Sequence, residues 1–340
     1  MKQYILQRLA SGLIVLLGIS IFSFALIHLI PGDPIRIMLG ENATAEQVHA
    51  LREQLGLNQP LVTQYFQYIA GVLQGDLGTS FKTGRPVLSE ILERFPATVK
   101  LAASGMFLAI CIGITMGVLA ARFKDTFIDF SAMSIATLGV SVPSFWLGIL
   151  LIMLFTVKLG WLPIAGGTGF RDLILPAVTL GVLASTVISR LTRAGMVEVL
   201  SFDYIRTARA KGLGERAVLF VHAFRNAMIP VVTIIGLQIA SLLGGTVIIE
   251  RVFDWPGLGS LAISSIASRD FPLVQGIILF IGVIFVLVNM LYLDLGLCHS
   301  LRKSPSSRAE FFCCGAESTA GFTWLTMSPP SSARLQCADR

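Results

Sequence analysis

Six stretches of the chain, 9–27, 101–120, 130–157, 173–189, 227–249 and 271–293, contain no Asp, Glu, Lys, Arg or His. A helix needs about 20 mostly apolar residues to cross a hydrocarbon core of about 30 Å. Inside lipid only helices and closed barrels satisfy the backbone. The runs, of which 173–189 is the shortest, predict an all-α integral membrane protein with six transmembrane helices. Composition agrees: 54% of the residues are hydrophobic and 14% charged, against about a quarter charged in soluble domains. The first run follows Lys2 and Arg8 in the manner of a signal peptide. It is longer than an h-region and no small-residue cleavage site precedes Pro31, so it reads as a retained helix.

The net charge of +6 does not mark a nucleic-acid surface. Basic residues sit in short loops between the apolar runs, with no basic face interleaved with aromatics. The lipid bilayer is an expected partner and nucleic acid is not. With the N-terminus inside, the short inner segments hold eleven Lys and Arg and the short outer loops hold four. That asymmetry predicts a cytoplasmic N-terminus. The long outer segment 28–100 is exempt from the count and is not featureless. Thr44 and Gln47 have capping-box spacing, Ala45, Val48, Leu51 and Leu55 follow as a helical stripe, and Gly56 is placed to end it. Pro60 restarts the chain into a second amphipathic stretch, Leu61–Leu73.

Reactive chemistry is missing. The chain carries no G-x-x-x-x-G-K-[ST] phosphate loop, no H-E-x-x-H and no nucleophile elbow. No catalytic residue, metal site or cofactor is expected. Cys111 lies alone in an apolar run, where a small buried side chain is the expected reading. The other four cysteines crowd into the end of the chain without zinc spacing. Ion-coupled carriers use intramembrane carboxylates or histidines as relays, and none of the six runs has one. A gradient-driven secondary transporter stays open as an alternative, because backbone carbonyls and hydroxyls can hold sodium. Otherwise the energy for uphill transport comes from another chain.

The inner loop between the fourth and fifth runs carries the most information. Residues 203–211 lack helix breakers, Asp203 sits where a helix dipole favours it, and Gly212 is placed to stop the helix. Residues 215–227 follow as a second helix. In this helix–turn–helix, Ala208 would let a partner approach closely, and Arg206, Arg209 and Lys211 offer charge. On residues alone, a docking surface and a solvated basic loop both fit.

The stretch Tyr204-Ile-Arg-Thr-Ala-Arg-Ala-Lys-Gly212 resembles the coupling loop of ABC importer permeases, in its peptide-importer form. The general pattern, E-A-A, three residues, then Gly, falls on Arg206, Thr207, Ala208 and Gly212, and only the last two match. The general pattern's later proline falls on Arg225; Pro230 comes instead, as in the peptide-type subfamily. Ile30–Pro34, Gly75–Ser80, Pro143–Gly148, Gly160–Pro163, Phe253–Gly259 and Arg269–Pro272 are similar to the same family in order and spacing. The resemblance covers about residues 1–294 and is to the first permease subunit of dipeptide, oligopeptide and nickel importers.

The resemblance implies a type I permease bundle in a bacterial inner membrane. Its division would be an N-terminal transmembrane helix at 1–30, an outer amphipathic segment at 31–96 and a five-helix core at 97–294 with the coupling loop at 190–228. It implies as partners a homologous second permease, two ATP-binding subunits that bind the ATP, and a periplasmic solute-binding protein. The last would deliver peptides or glutathione to segments such as 251–273 and the outer cap. Asp203, Tyr204, Arg206, Thr207, Ala208, Arg209, Lys211 and Gly212 would form the ATPase-coupling interface. After Asp294 apolar periodicity stops, and 295–340 reads as a disordered tail departing from the family. A one-base shift at Gly296–His299 would restore a family-like continuation, so a frameshift is expected there.

Overall fold

The computed structural model describes residues 2–29, 44–54, 58–163, 166–167 and 169–301, and the described residues are helices joined by short turns. Residues Met1–Leu293 form one compact unit; in the second, Asp294–Arg340, the last helix continues to Leu301. The Ile30–Pro34 motif, the Gly56 stop and the tail from 302 onward lie outside the described residues.

Helix α1 (Lys2–Leu29) is the first apolar run. The outer segment supplies α2 (Ala45–Gln54) and α3 (Leu61–Leu73), the second with the boundaries that Pro60 dictates. Helix α4 (Val87–Arg122) has 36 residues, about 54 Å at 1.5 Å per residue. It therefore overshoots a bilayer core, and its apolar run, 101–120, is only its C-terminal part.

The third run is not one helix. It divides into α5 (Phe127–Ser141) and α6 (Ser144–Leu151), which continues as a π-helical stretch to Lys158. The two halves are bent by 104°. Pro143 causes the break: it cannot donate to the preceding turn, and it holds Val142 extended at φ −85°, ψ 123°. Hydropathy alone sees no interruption there, because proline carries no charge.

Helix α7 (Phe170–Leu200) explains why the fourth run looked short. The helix continues well past Ser189 through Arg190 and Arg193. Helix α8 (Asp203–Ala210) follows. The second helix of the loop does not stop at 227. Glu215–Ala217 and a π-helical stretch, Val218–Ala223, run directly into α9 (Phe224–Gly245). Helices α10 (Val247–Val252), α11 (Leu258–Ala267) and α12 (Phe271–Leu301) complete the chain. Among the described residues, five helical segments are long and apolar enough to cross a membrane, and the bent α5–α6 pair makes a sixth if it counts as one span.

The spine is the α4–α7 pair, and glycine makes it close. A Cβ on Gly105, Gly113 or Gly117 of α4 would lie 2.9, 2.7 or 2.5 Å from a Cβ of α7, on Leu180, Ile188 or Thr192. Gly181 of α7 answers with 2.7 Å to Leu108 Cβ. Lipid offers helices no hydrophobic incentive to associate, so small residues that bring backbones together supply the contact energy. Cys111 lies two positions from Gly113, on the other side of α4, and is exposed rather than buried. On the opposite flank α1 lies along α12, where Ser23 Oγ donates to the Gln275 carbonyl at 3.0 Å.

Candidate functional site: the coupling helix and the outer junction

Helix α8 presents two different faces. Ile205 and Ala208 are 0% and 7% exposed. They pack in a cluster with Val118 and Ala121 of α4, Met196 and Val199 of α7, and Val218, Leu219 and Ala223. Ala208 therefore faces the bundle. Its small side chain lets α8 lie close to its own scaffold, which corrects the expectation that it faces a partner. With eight residues and mixed composition, the periodicity could not say which face was inner.

The remaining residues of the expected interface split by what they already hold. Arg209 Nε donates to Glu215 Oε1 at 2.7 Å, pinning α8 to the start of the next helix. Tyr204 OH accepts from Asn226 Nδ2 at 2.9 Å, which ties α8 to α9. Gly212 has φ +78°, the left-handed conformation that ends a helix, and the Leu213 N–H closes on the Ala208 carbonyl at 3.3 Å. Those three fix the shape of the loop. Asp203, Arg206, Thr207 and Lys211 are exposed. The Asp203–Arg206 pair at 3.8 Å has side chains 96% and 80% exposed, so water screens it and it contributes little. Phe202 and Leu213, which charge and spacing did not flag, are 45% and 41% exposed at the two ends of α8. The outward face is thus a polar and cationic strip flanked by two apolar side chains.

At the other end of the bundle, two buried carboxylates organise the scattered motifs. Glu250 is 0% exposed. Its Oε1 accepts from Thr98 Oγ1 at 2.8 Å and from Thr246 Oγ1 at 2.9 Å. Its Oε2 accepts from the N–H groups of Gly259 and Ser260 at 2.7 and 3.1 Å, at the start of α11. The carboxylate thus occupies a helix N-terminus, where the dipole favours negative charge. A Cβ on Gly257 would come within 2.4 Å of that carboxylate, which is why the Phe253–Gly259 motif needs glycine. Trp255, 1% exposed, donates from its indole to the Ala97 carbonyl at 2.9 Å.

Asp270 does the same at the far end of α11. Ser80 Oγ donates to it at 2.5 Å, and the N–H groups of Phe81 and Lys82 do so at 3.1 and 3.4 Å. The motifs Gly75–Ser80 and Arg269–Pro272, 190 residues apart in sequence at the Ser80–Asp270 bond, are thereby one structure. Asp254 and Arg269, on either side of α11, have φ of +46° and +56°. That is a conformation L-residues resist, and each is the left-handed residue after a helix end, closed by the Trp255 N–H on the Glu250 carbonyl at 2.7 Å and by the Asp270 N–H on the Ser265 carbonyl at 2.8 Å. Sequence reading missed Glu250 because it stands one residue beyond the uncharged run 227–249. Among the described residues no cluster of His, Cys, Asp and Glu suited to a metal ion occurs.

Residues 113–294 match the family described as binding-protein-dependent transport system inner membrane component, and residues 1–102 match its N-terminal counterpart. Glutathione transport system permease protein GsiC of Escherichia coli strain K12 is 45% identical over 290 residues, covering 85% of this chain and 95% of that protein. GsiC of Salmonella typhimurium strain LT2 has the same identity and coverage. A chain of the inward-facing MetNI methionine ABC transporter superposes with a TM-score of 0.52 over 62% of this chain and 95% of its own, at 18% identity, a likeness of fold. The chain therefore belongs to the family of inner membrane components of binding-protein-dependent transport systems, the membrane-embedded permease subunits of ABC importers.

Proposed function

We propose that this permease carries peptides, with glutathione the first candidate, inward across the inner membrane. It works beside a homologous second permease, with two ATP-binding subunits on the α8 face and a periplasmic binding protein on the face built by Glu250 and Asp270. The N-terminus is cytoplasmic, and the chain itself binds no ATP and catalyses no reaction. The observation that carries the substrate is the near full-length similarity to glutathione permeases. Support for the docking comes from α8, a short helix rigidly seated by Ile205 and Ala208, with Asp203, Arg206, Thr207 and Lys211 turned outward.

The test is uptake of labelled glutathione and of a dipeptide by proteoliposomes holding the whole importer and its binding protein. ATP-dependent uptake is expected, and uptake driven by a sodium or proton gradient without ATP would sink the proposal in favour of a gradient-driven carrier. Ala208→Glu is a poor probe of docking, since it would bury a charge inside the bundle. The pair Arg206→Glu and Lys211→Glu reverses exposed charge without touching the packing. It should leave the chain folded and abolish co-purification of ATPase activity.

A further inference from the structure

One ion pair lies apart from both sites. Asp129, in the first turn of α5, is 4% exposed. Arg193 of α7 grips it with both arms: Nε to Oδ1 at 2.5 Å and Nη2 to Oδ2 at 2.6 Å. The Asp129 carboxylate also accepts the Asp125 N–H at 3.0 Å, and Asp125 is left-handed at φ +62°. The pair thus fixes the α4–α5 turn as well as the approach of α5 to α7.

Its position relates it to coupling. Arg193 stands between two contacts on α7. Thr192 is pressed against Gly117 of α4, and Met196, 0% exposed, belongs to the cluster that seats α8. The far end of α5 meets α7 at Gly139, where a Cβ would lie 2.6 Å from Thr186 Cγ2. Beyond the bend at Pro143, Gly148 of α6 touches the Phe253 ring, where a Cβ would come within 3.0 Å of it. Phe253 opens the motif that wraps Glu250. The bent α5–α6 span therefore touches the scaffold of the coupling helix at one end and the outer junction at the other.

Arg193 bonds both oxygens of the Asp129 carboxylate, so the pair stabilises the fold as well as shaping it. Desolvation offsets part of that attraction, and an apolar pair of similar volume can stabilise a fold as much. What an apolar pair lacks is fixed geometry, which a guanidinium–carboxylate fork supplies.

We propose that the Asp129–Arg193 pair is a positioning link that makes the bent α5–α6 span follow α7 and the coupling helix, so that motion at α8 reaches the Phe253–Gly259 loop. Without it, α5 pivots on the Gly139–Thr186 contact and lags behind. The inference rests on α8 being the ATPase-docking helix.

The test uses the complete importer in proteoliposomes, with binding-protein-stimulated ATP hydrolysis and peptide uptake measured on the same preparation. Asp129→Leu combined with Arg193→Met keeps volume and removes the fork. The expected result is an assembled complex that hydrolyses ATP near the native rate while uptake per ATP falls about tenfold, a usual size for coupling between two sites. The exchange Asp129→Arg with Arg193→Asp rebuilds a pair and should recover part of that ratio. Unchanged uptake per ATP in the Leu/Met chain overturns the link, and so does failure of that chain to assemble, which would make the pair a structural support. The docking reading fails separately, and takes the link with it, if charge reversal at Arg206 and Lys211 leaves hydrolysis and uptake untouched.

Discussion

Glu250 illustrates how much one side chain can organise once it is fully buried. It satisfies two hydroxyls and two backbone N–H groups, from α4, from Thr246 and from the start of α11. Glu250→Ala would leave those donors buried and unpaired, and the expected loss is about 3 kcal/mol or more. Glu250→Gln keeps the volume and one acceptor oxygen and should cost less. Thermal unfolding in detergent checks the order: wild type, then Gln, then Ala. Equal midpoints for wild type and Ala would mean that the node does not hold the junction. At this scale the sequence was partly legible. Gly257 and Trp255 stood out within a motif, yet nothing in the string shows that the motif encloses a carboxylate. A charge next to an apolar run reads as interfacial by default. Ala208 was misread for a related reason, because an eight-residue helix gives its two faces no separate signature.

Helix ends and helix breaks are where reading by hydropathy fell short. The six runs fall on the five long apolar helices and on the bent α5–α6 pair, since lipid demands long uncharged stretches. The runs could not show α4 starting at Val87 or α7 reaching Leu200, because charged residues on a helix that leaves the membrane interrupt hydropathy without interrupting the hydrogen bonding. The break at Pro143 was hidden for the opposite reason: it ends the helix while leaving hydropathy intact. What hydropathy also misses is the seam between α4 and α7. Gly117→Val would place branched carbons where Thr192 Cβ already sits, 2.5 Å from the position of the first added atom. The two long helices would have to separate, at about 2 kcal/mol. The yield of monodisperse protein after solubilisation should fall sharply, whereas Gly18→Val on α1, with nothing within 4 Å, should purify normally. Helix α8 belongs to this scale too. Because its outward residues make no buried contact, Arg206→Glu with Lys211→Glu should shift the unfolding midpoint by no more than about 0.5 kcal/mol would, even though partner ATPase is lost.

The sidedness of the whole molecule follows from α4. Its first turns, Val87 and Ile91, pack with Leu273 and Ile277 beside the Asp270 junction. Its last turns, Val118 and Ala121, pack with Ile205 and Ala208 of α8. Residues 87 and 118 on one continuous helix are about 46 Å apart at 1.5 Å per residue. That exceeds a hydrocarbon core of about 30 Å, so a bilayer crossed by α4 is expected to separate the Asp270 junction from α8. Loop charge predicts which side is which: the segments expected on the α8 side hold eleven Lys and Arg against four in the short loops opposite, so α8 is expected inside. In a chain freed of its native cysteines, Lys82→Cys should react with a membrane-impermeant maleimide added outside intact spheroplasts, and Lys211→Cys only after permeabilisation. Labelling of both from outside would contradict the single-pass path of α4. The reverse pattern would keep that path and invert the protein, placing α8 where no ATP-binding subunit could reach it and overturning the proposed docking.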